Sequence, residues 1–309
     1  MAWALGAFVL VSGVAFLALA PQSGLQSLTF YFLLVKFFVL AQSFNLIAGY
    51  VGYLSFGHVA FYGLGGYVTA VLVWKFSLPF HPALLLGGLG AAVMATLLGH
   101  PILRLRGAYF AIATLALNEA LRVIILNIPE QYGGGSFGLP VPRIRDPWMG
   151  YYWMLGLAVG VLLLTWGLVR SRYGVLLRAV REDEEAARAL GINTVGLKVG
   201  TFAVSAFFMG LAGGVDLQVT GYIYPEAAFN IDTNVMIIAM TMLGGSGTVL
   251  GPPLGVVILY LLQDYAWARA PFSHLIVLGG VLAFLVLFLR RGILGLLEEK
   301  IPALRGRIR

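Results

Sequence analysis

The sequence predicts an all-α polytopic membrane protein with about ten transmembrane segments in a single domain, 1–309, some of its helices broken by glycine. Three observations predict it. Only 11% of the 309 residues are charged, against about 25% in a soluble domain, while 60% are hydrophobic and the mean hydropathy is +0.91. Apolar stretches near the ~20 residues that cross a hydrocarbon core follow one another along the chain. Glycine reaches 40 residues and gathers in two short segments. Such a chain cannot cover a water-facing surface. The composition excludes a soluble enzyme, a disordered chain and a nucleic-acid binder despite the net charge of +7. The lack of cysteine excludes a disulfide framework, a thiolate metal site and a cysteine nucleophile, and no cofactor is expected.

Met1–Ala20 is apolar with no basic residue ahead of it, unlike a secretory signal, and reads as the first span, 2–20. The others are 28–48, 54–74, 82–103, 108–128, 151–169, 199–219, 234–249, 251–267 and 273–290. Most basic residues fall in three clusters: Arg104 with Arg106, the 170–198 loop, and the tail from Arg290. Basic loops stay cytoplasmic. With all three inside, both termini are cytoplasmic and the number of crossings is even. That parity splits 234–267 into two short crossings meeting near Gly251-Pro252-Pro253, and leaves 220–233, with Glu226 and Asp232, outside.

The 170–198 loop is far more polar than its surroundings. Val175, Leu176, Ala179 and Val180 form an apolar stripe at helical spacing. Residues 182–190 are good helix formers with acids early and Arg188 late, and Gly191 is placed as a stop. Two short helices joined at Glu182-Asp183 are expected, compact enough to dock a soluble partner.

Two glycine-interrupted segments break the smooth helices: Asn45 to His58, with Gly49, Gly52 and Ser55, and Gly244 to Gly255, with Gly245, Ser246, Gly247 and Thr248. Irregular backbone at membrane depth belongs inside protein or along a watery cavity. Paired interruptions in two halves point to a transport site between internal repeats, and Gly49-x-x-Gly52 loosely matches Gly244-x-x-Gly247. Asn45, Ser55, His58, Ser246 and Thr248 are the polar candidates for lining a translocation path. The alternative is close helix packing, for which Gly247, Gly251 and Gly255 form a small-residue ridge, with His58 a hydrogen-bonded structural residue. Among charges near the spans, Glu119 and Arg122 stand three apart on one helix and form an intramembrane pair; Lys36 pairs across helices or snorkels; Asp216 and Asp264 lie towards outer ends.

Glu185-Ala186-Ala187-x-x-x-Gly191 resembles the EAA loop of ATP-binding-cassette importer permeases. With it stand Gly107-Ala-Tyr109-Phe110 through Thr114-Leu115-Ala116, Gly134-Gly135-Ser-Phe-Gly138-Leu139, Pro225-Glu226-Ala-Ala-Phe229 and Gly244-Gly245-Ser-Gly247-Thr248-Val-Leu-Gly251-Pro252. In this order, and with Asn45 to Phe61 upstream, the chain resembles branched-chain amino-acid importer permeases of the LivM type over roughly 40–290. Pro253 and Val256 depart from a plainer Gly-Pro-x-x-Gly-Ala, and Asp216 is an unusual acid.

The resemblance implies a type II importer half in a bacterial or archaeal plasma membrane. It implies alternating access, a second related permease, two cytoplasmic ATPase subunits and an external binding protein that meets loops 129–150 and 220–233. The residues it assigns to ATPase coupling are Arg181, Glu182, Glu184, Glu185, Ala186, Ala187, Leu190 and Gly191. No Gly-x-x-x-x-Gly-Lys-[Ser/Thr] phosphate loop exists in the chain, so ATP hydrolysis is expected in partners and not here. Urea or short-chain amide uptake is the rival substrate class. One rival mechanism is a secondary transporter driven by an ion gradient, which leaves the 174–191 segment unexplained; another is a passive channel or structural membrane subunit, which should tolerate mutation of that segment.

Overall fold

The computed structural model describes residues 27–133, 135–142 and 146–269, with Pro21 and the short pieces 279–280 and 292–293. The expected span 2–20, nearly all of 273–290, and the basic tail lie outside the described residues. The long helices are α1 (Leu28–Asn45), which runs on into a π-helical turn over Leu46–Val51, α2 (Val59–Phe76), α3 (Phe80–Ile102), α4 (Ala108–Asn127) and α5 (Pro147–Arg170). Two short helices follow, α6 (Arg172–Glu182) and α7 (Glu184–Ala189). Then come α8 (Thr194–Thr220), the single turn α9 (Pro225–Ala228), α10 (Ile231–Gly244) and α11 (Gly251–Arg269).

Among the described residues seven helices are long and apolar enough to cross a membrane: α1 with its π turn, α2, α3, α4, α5, α8, and α9–α10 taken together. The chain is a multi-pass membrane protein. Helix α11, with Pro252, Pro253, Gln263 and Asp264, is less apolar and is not among the seven. The region 234–267 forms a helical hairpin that turns at 245–250. There α10 and α11 pack so closely that a Cβ on Gly255 would stand 1.8 Å from the Met240 carbonyl oxygen.

Burial grades outward from α1, where 78% of the apolar window is buried, to 39% in α3, 33% in α5 and 28% in α4. Helices α2, α3 and α8 meet through small residues: a Cβ on Gly65 would stand 2.2 Å from Gly210 Cα. Backbones this near gain dispersion contacts where no water is left to expel. Lys36 of α1 pairs with Asp216 of α8 at 3.3 Å, and the Tyr62 hydroxyl of α2 donates to the same carboxylate.

At one end of the bundle the two expected outer loops meet. Strand β1 (Leu139–Pro140) pairs antiparallel with β2 (Tyr222–Ile223), Leu139 opposite Ile223. The other end carries α6, α7, the π turn and the turn at 103–107.

Candidate functional site

The polar segment between α5 and α8 is built by its caps. Ser171 accepts from Tyr173 N at 3.2 Å and opens α6; Asp183 accepts from Glu185 N at 2.9 Å and Ala186 N at 3.0 Å and opens α7. At its end Gly191, at φ +82°, closes a Schellman motif, with Gly191 N donating to Arg188 O and Ile192 N to Ala187 O. Leu177, Val180 and Ala187 are buried inward, while Tyr173, Val175 and Leu190 stand outward. At 81% exposed, Leu190 is the most exposed large apolar side chain among the described residues.

Glu184 is the hub that locks α7 to the bundle. Its carboxylate accepts from Tyr53 Oη at 2.7 Å, Lys198 Nζ at 2.8 Å and Arg188 at 3.0 Å, with Arg106 at 3.8 Å. Lys198 is 2% exposed and also donates to Leu103 O at 2.7 Å. Burial works against ionising Glu184, but the Lys198 ammonium, the Tyr53 hydroxyl and the Arg106 guanidinium outweigh it and hold the carboxyl below its ordinary range. Burial and the neighbouring Glu184 push the Tyr53 hydroxyl up, so Tyr53 stays the donor in this pair. Glu185, on the outer side, meets Arg106 at 2.9 Å. The expected coupling residues thus divide: Glu184 and Ala187 face inward, whereas Glu182, Glu185, Ala186, Leu190 and Gly191 are exposed.

Arg181 joins this segment to both glycine-broken stretches. Its guanidinium donates to the Gly49 carbonyl within the π turn, and it lies so near Gly247 that no Cβ would fit there. Asn45, the last residue of α1, ties the stretches together: its Oδ1 accepts from Gly247 N at 2.8 Å and its Nδ2 donates to Thr248 O at 2.9 Å. The amide lies over Gly49, where a Cβ would stand 2.0 Å from Asn45 Oδ1. A wider π turn exposes backbone that an α-helix would consume, and Arg181 uses one of those carbonyls. Thr248 caps α11 through Gly251 N at 3.0 Å. Between Val51–Phe56, the start of α4 at Arg106–Ala111, and Val180, Arg181 and Glu184 lies a cleft of about 580 Å³.

The residues expected to line a path fall into two groups. Asn45, Gly49, Gly245, Ser246, Gly247 and Thr248 come together at the α6–α7 end, and Gly52 is exposed at the cleft. Ser55 and His58 are fully buried and bond to other residues than these. The Ser55 carbonyl accepts from Asn234 Nδ2 at 3.2 Å. His58 Nε2 is 2.6 Å from Ser205 Oγ, which donates to Ser43 O, and the ring is packed by Phe44, Phe61 and Phe202.

Glu119 and Arg122 do pair on α4, through Nε to Oε2 at 3.0 Å and a second guanidinium contact to Oε1. Sequence reasoning missed Tyr53, Arg106, Lys198 and Asn234. The signal for Lys198 was a lysine just inside an apolar helix, and for Arg106 its place in a basic cluster; Tyr53 and Asn234 carry no local pattern.

The family model described as branched-chain amino acid transport system, permease component, matches residues 26–289. The chain is 30% identical over 300 residues to the high-affinity branched-chain amino acid transport system permease protein LivM of Escherichia coli, covering 87% of this chain and 70% of that protein. It is 26% identical over 321 residues to the probable branched-chain amino acid transport permease protein LivM of Methanocaldococcus jannaschii, covering 85% and 91%. To the permease protein LivH of the Escherichia coli system it is 27% identical over 283 residues, covering 83% and 90%. No solved structure matches the chain significantly.

Proposed function

Because the chain belongs to the branched-chain amino acid transport permease family, we propose that it is the membrane-spanning subunit of an ATP-binding-cassette importer for leucine, isoleucine and valine. The observation that carries the reading is Arg181, which stands on an exposed two-helix segment and hydrogen-bonds into the π turn of the central helix. A motor docked on the exposed Val175, Leu190 and Glu185 side of α6 and α7 would move Arg181, and with it Gly49 and the 245–248 turn. Glu184 and Lys198 keep α7 rigid, so that displacement is passed on and not absorbed.

The α6–α7 end would be cytoplasmic, since Arg104, Arg106 and the basic residues of 170–198 gather there. The paired loops at the other end, joined by β1 and β2, would receive an external binding protein. A second permease and two ATPase subunits would complete the assembly, and the two permeases would rock between outward- and inward-open states. A ligand shifts such an equilibrium only through unequal affinity for its two states. The cluster at Asn45, Gly49, Ser246, Gly247 and Thr248 then acts as the hinge that coupling bends.

Reconstitution tests this. Liposomes holding the chain with its partner subunits should take up leucine, isoleucine and valine, but not urea, only when ATP is inside the ATPase compartment. Uptake by the chain alone under an ion gradient would overturn the proposal.

A further inference from the structure

Three of the spans form the outer faces of the described bundle: α3, α4 and α5. Helices α3 and α5 expose Leu85, Leu89, Val93 and Leu163, with no Asp, Glu, Lys or Arg between their ends, as a lipid-facing surface requires. Helix α4 is the least buried, at 28%, yet it carries Glu119 and Arg122 with side chains 46% and 30% exposed. Glu119 stands about 16 Å along the helix from Ala108, and Arg122 about 8 Å from Asn127, so both are within the hydrocarbon depth. Charges at this depth face a bundle interior or a water-filled cavity, because lipid leaves them unsolvated.

The pair is not self-sufficient. Arg122 spends Nε and one terminal N–H on Glu119, and its remaining N–H groups have no acceptor among the described residues. Glu226, on the turn at the binding-protein end, is within electrostatic reach of Arg122. Along the same helix Ile112, Ala116 and Val123 are exposed, an apolar strip beside the charges.

We propose that this face of α4 is a wall of the substrate passage, where Arg122 receives the carboxylate and Glu119 the ammonium of a zwitterionic amino acid while its apolar side chain lies along the Ile112–Val123 strip. The inference rests on the importer reading and adds a recognition site to it. An arriving zwitterion exchanges one ion pair for two, so the site neither strands a charge nor holds its cargo tightly. Opposite charges on adjacent turns also discriminate against urea, which offers no carboxylate.

The chain has no cysteine, which permits a direct test in the assembled transporter. Ala116→Cys and Val123→Cys on α4 are expected to react with a charged, membrane-impermeant thiol reagent, and leucine delivered by the binding protein should slow the reaction. Val93→Cys on α3 should stay unreactive. The neutral pair Glu119→Gln with Arg122→Gln should lose leucine uptake, measured per assembled complex recovered, about tenfold or more, the loss of charge-assisted hydrogen bonds. Unreactive α4 cysteines, or a neutral pair that transports within about twofold of the parent, would overturn the inference. Failure of the importer reading itself shows differently, as absence of ATP-driven uptake in the unsubstituted chain.

Discussion

Glu184 is a surface residue by sequence and an internal one by structure, and its substitution should be correspondingly costly. Glu184→Gln removes the charge facing Lys198, which is 2% exposed. An uncompensated buried charge costs about 3–5 kcal/mol, so thermal melting in detergent should show a clear loss of stability. Adding Lys198→Met should restore part of it, since the stranded ammonium is then gone. The pH dependence has a definite sign. The Glu184 carboxyl is held below its ordinary range, so its stabilisation is present above the unfolded value near 4.3 and is lost as pH falls through the lower folded value. Transport between about pH 5 and 8 should therefore be insensitive to this group, and melting measured below pH 4 should fall. The sequence shows Glu184 beside three other acids, and nothing local separates it from Glu185. The separation comes from Tyr53 and Lys198, far away in the chain and close only after folding.

At the scale of elements, the caps and stops were legible because they are local. Asp183 with free backbone amides after it, and Gly191 at positive φ, define α7 by short-range hydrogen bonding. The glycine-broken stretches were legible as breaks, but not as a joint. Nothing in Asn45 announces that it reaches Gly247 and Thr248, because the contact depends on how α1 packs against the α10–α11 hairpin. His58 was legible only as a polar residue in an apolar run; its enclosure by three aromatic rings is tertiary. The joint makes its own prediction. Gly49→Ala places a methyl 2.0 Å from Asn45 Oδ1 and 2.4 Å from Gly247 N, so the π turn and the 245–248 turn must separate. Uptake should collapse, whereas Gly156→Ala, on an open face of α5, should leave it unchanged.

For the whole molecule, composition alone placed the chain in a membrane, and the seven apolar helices among the described residues agree. The basic clusters anticipated that the 104–107 turn and the 170–198 segment share one end; Arg106 between Glu184 and Glu185 joins them. Hidden from the sequence was the connection between that end and the helix interior. Arg181 is proposed to carry motor movement into the broken helices. The most direct measurement is leucine uptake per ATP hydrolysed by the reconstituted complex with Arg181→Ala. The complex should assemble and hydrolyse ATP while uptake per ATP falls about tenfold, the loss of one charge-assisted hydrogen bond. An Arg181→Ala complex that moves as much leucine per ATP as the parent would contradict it.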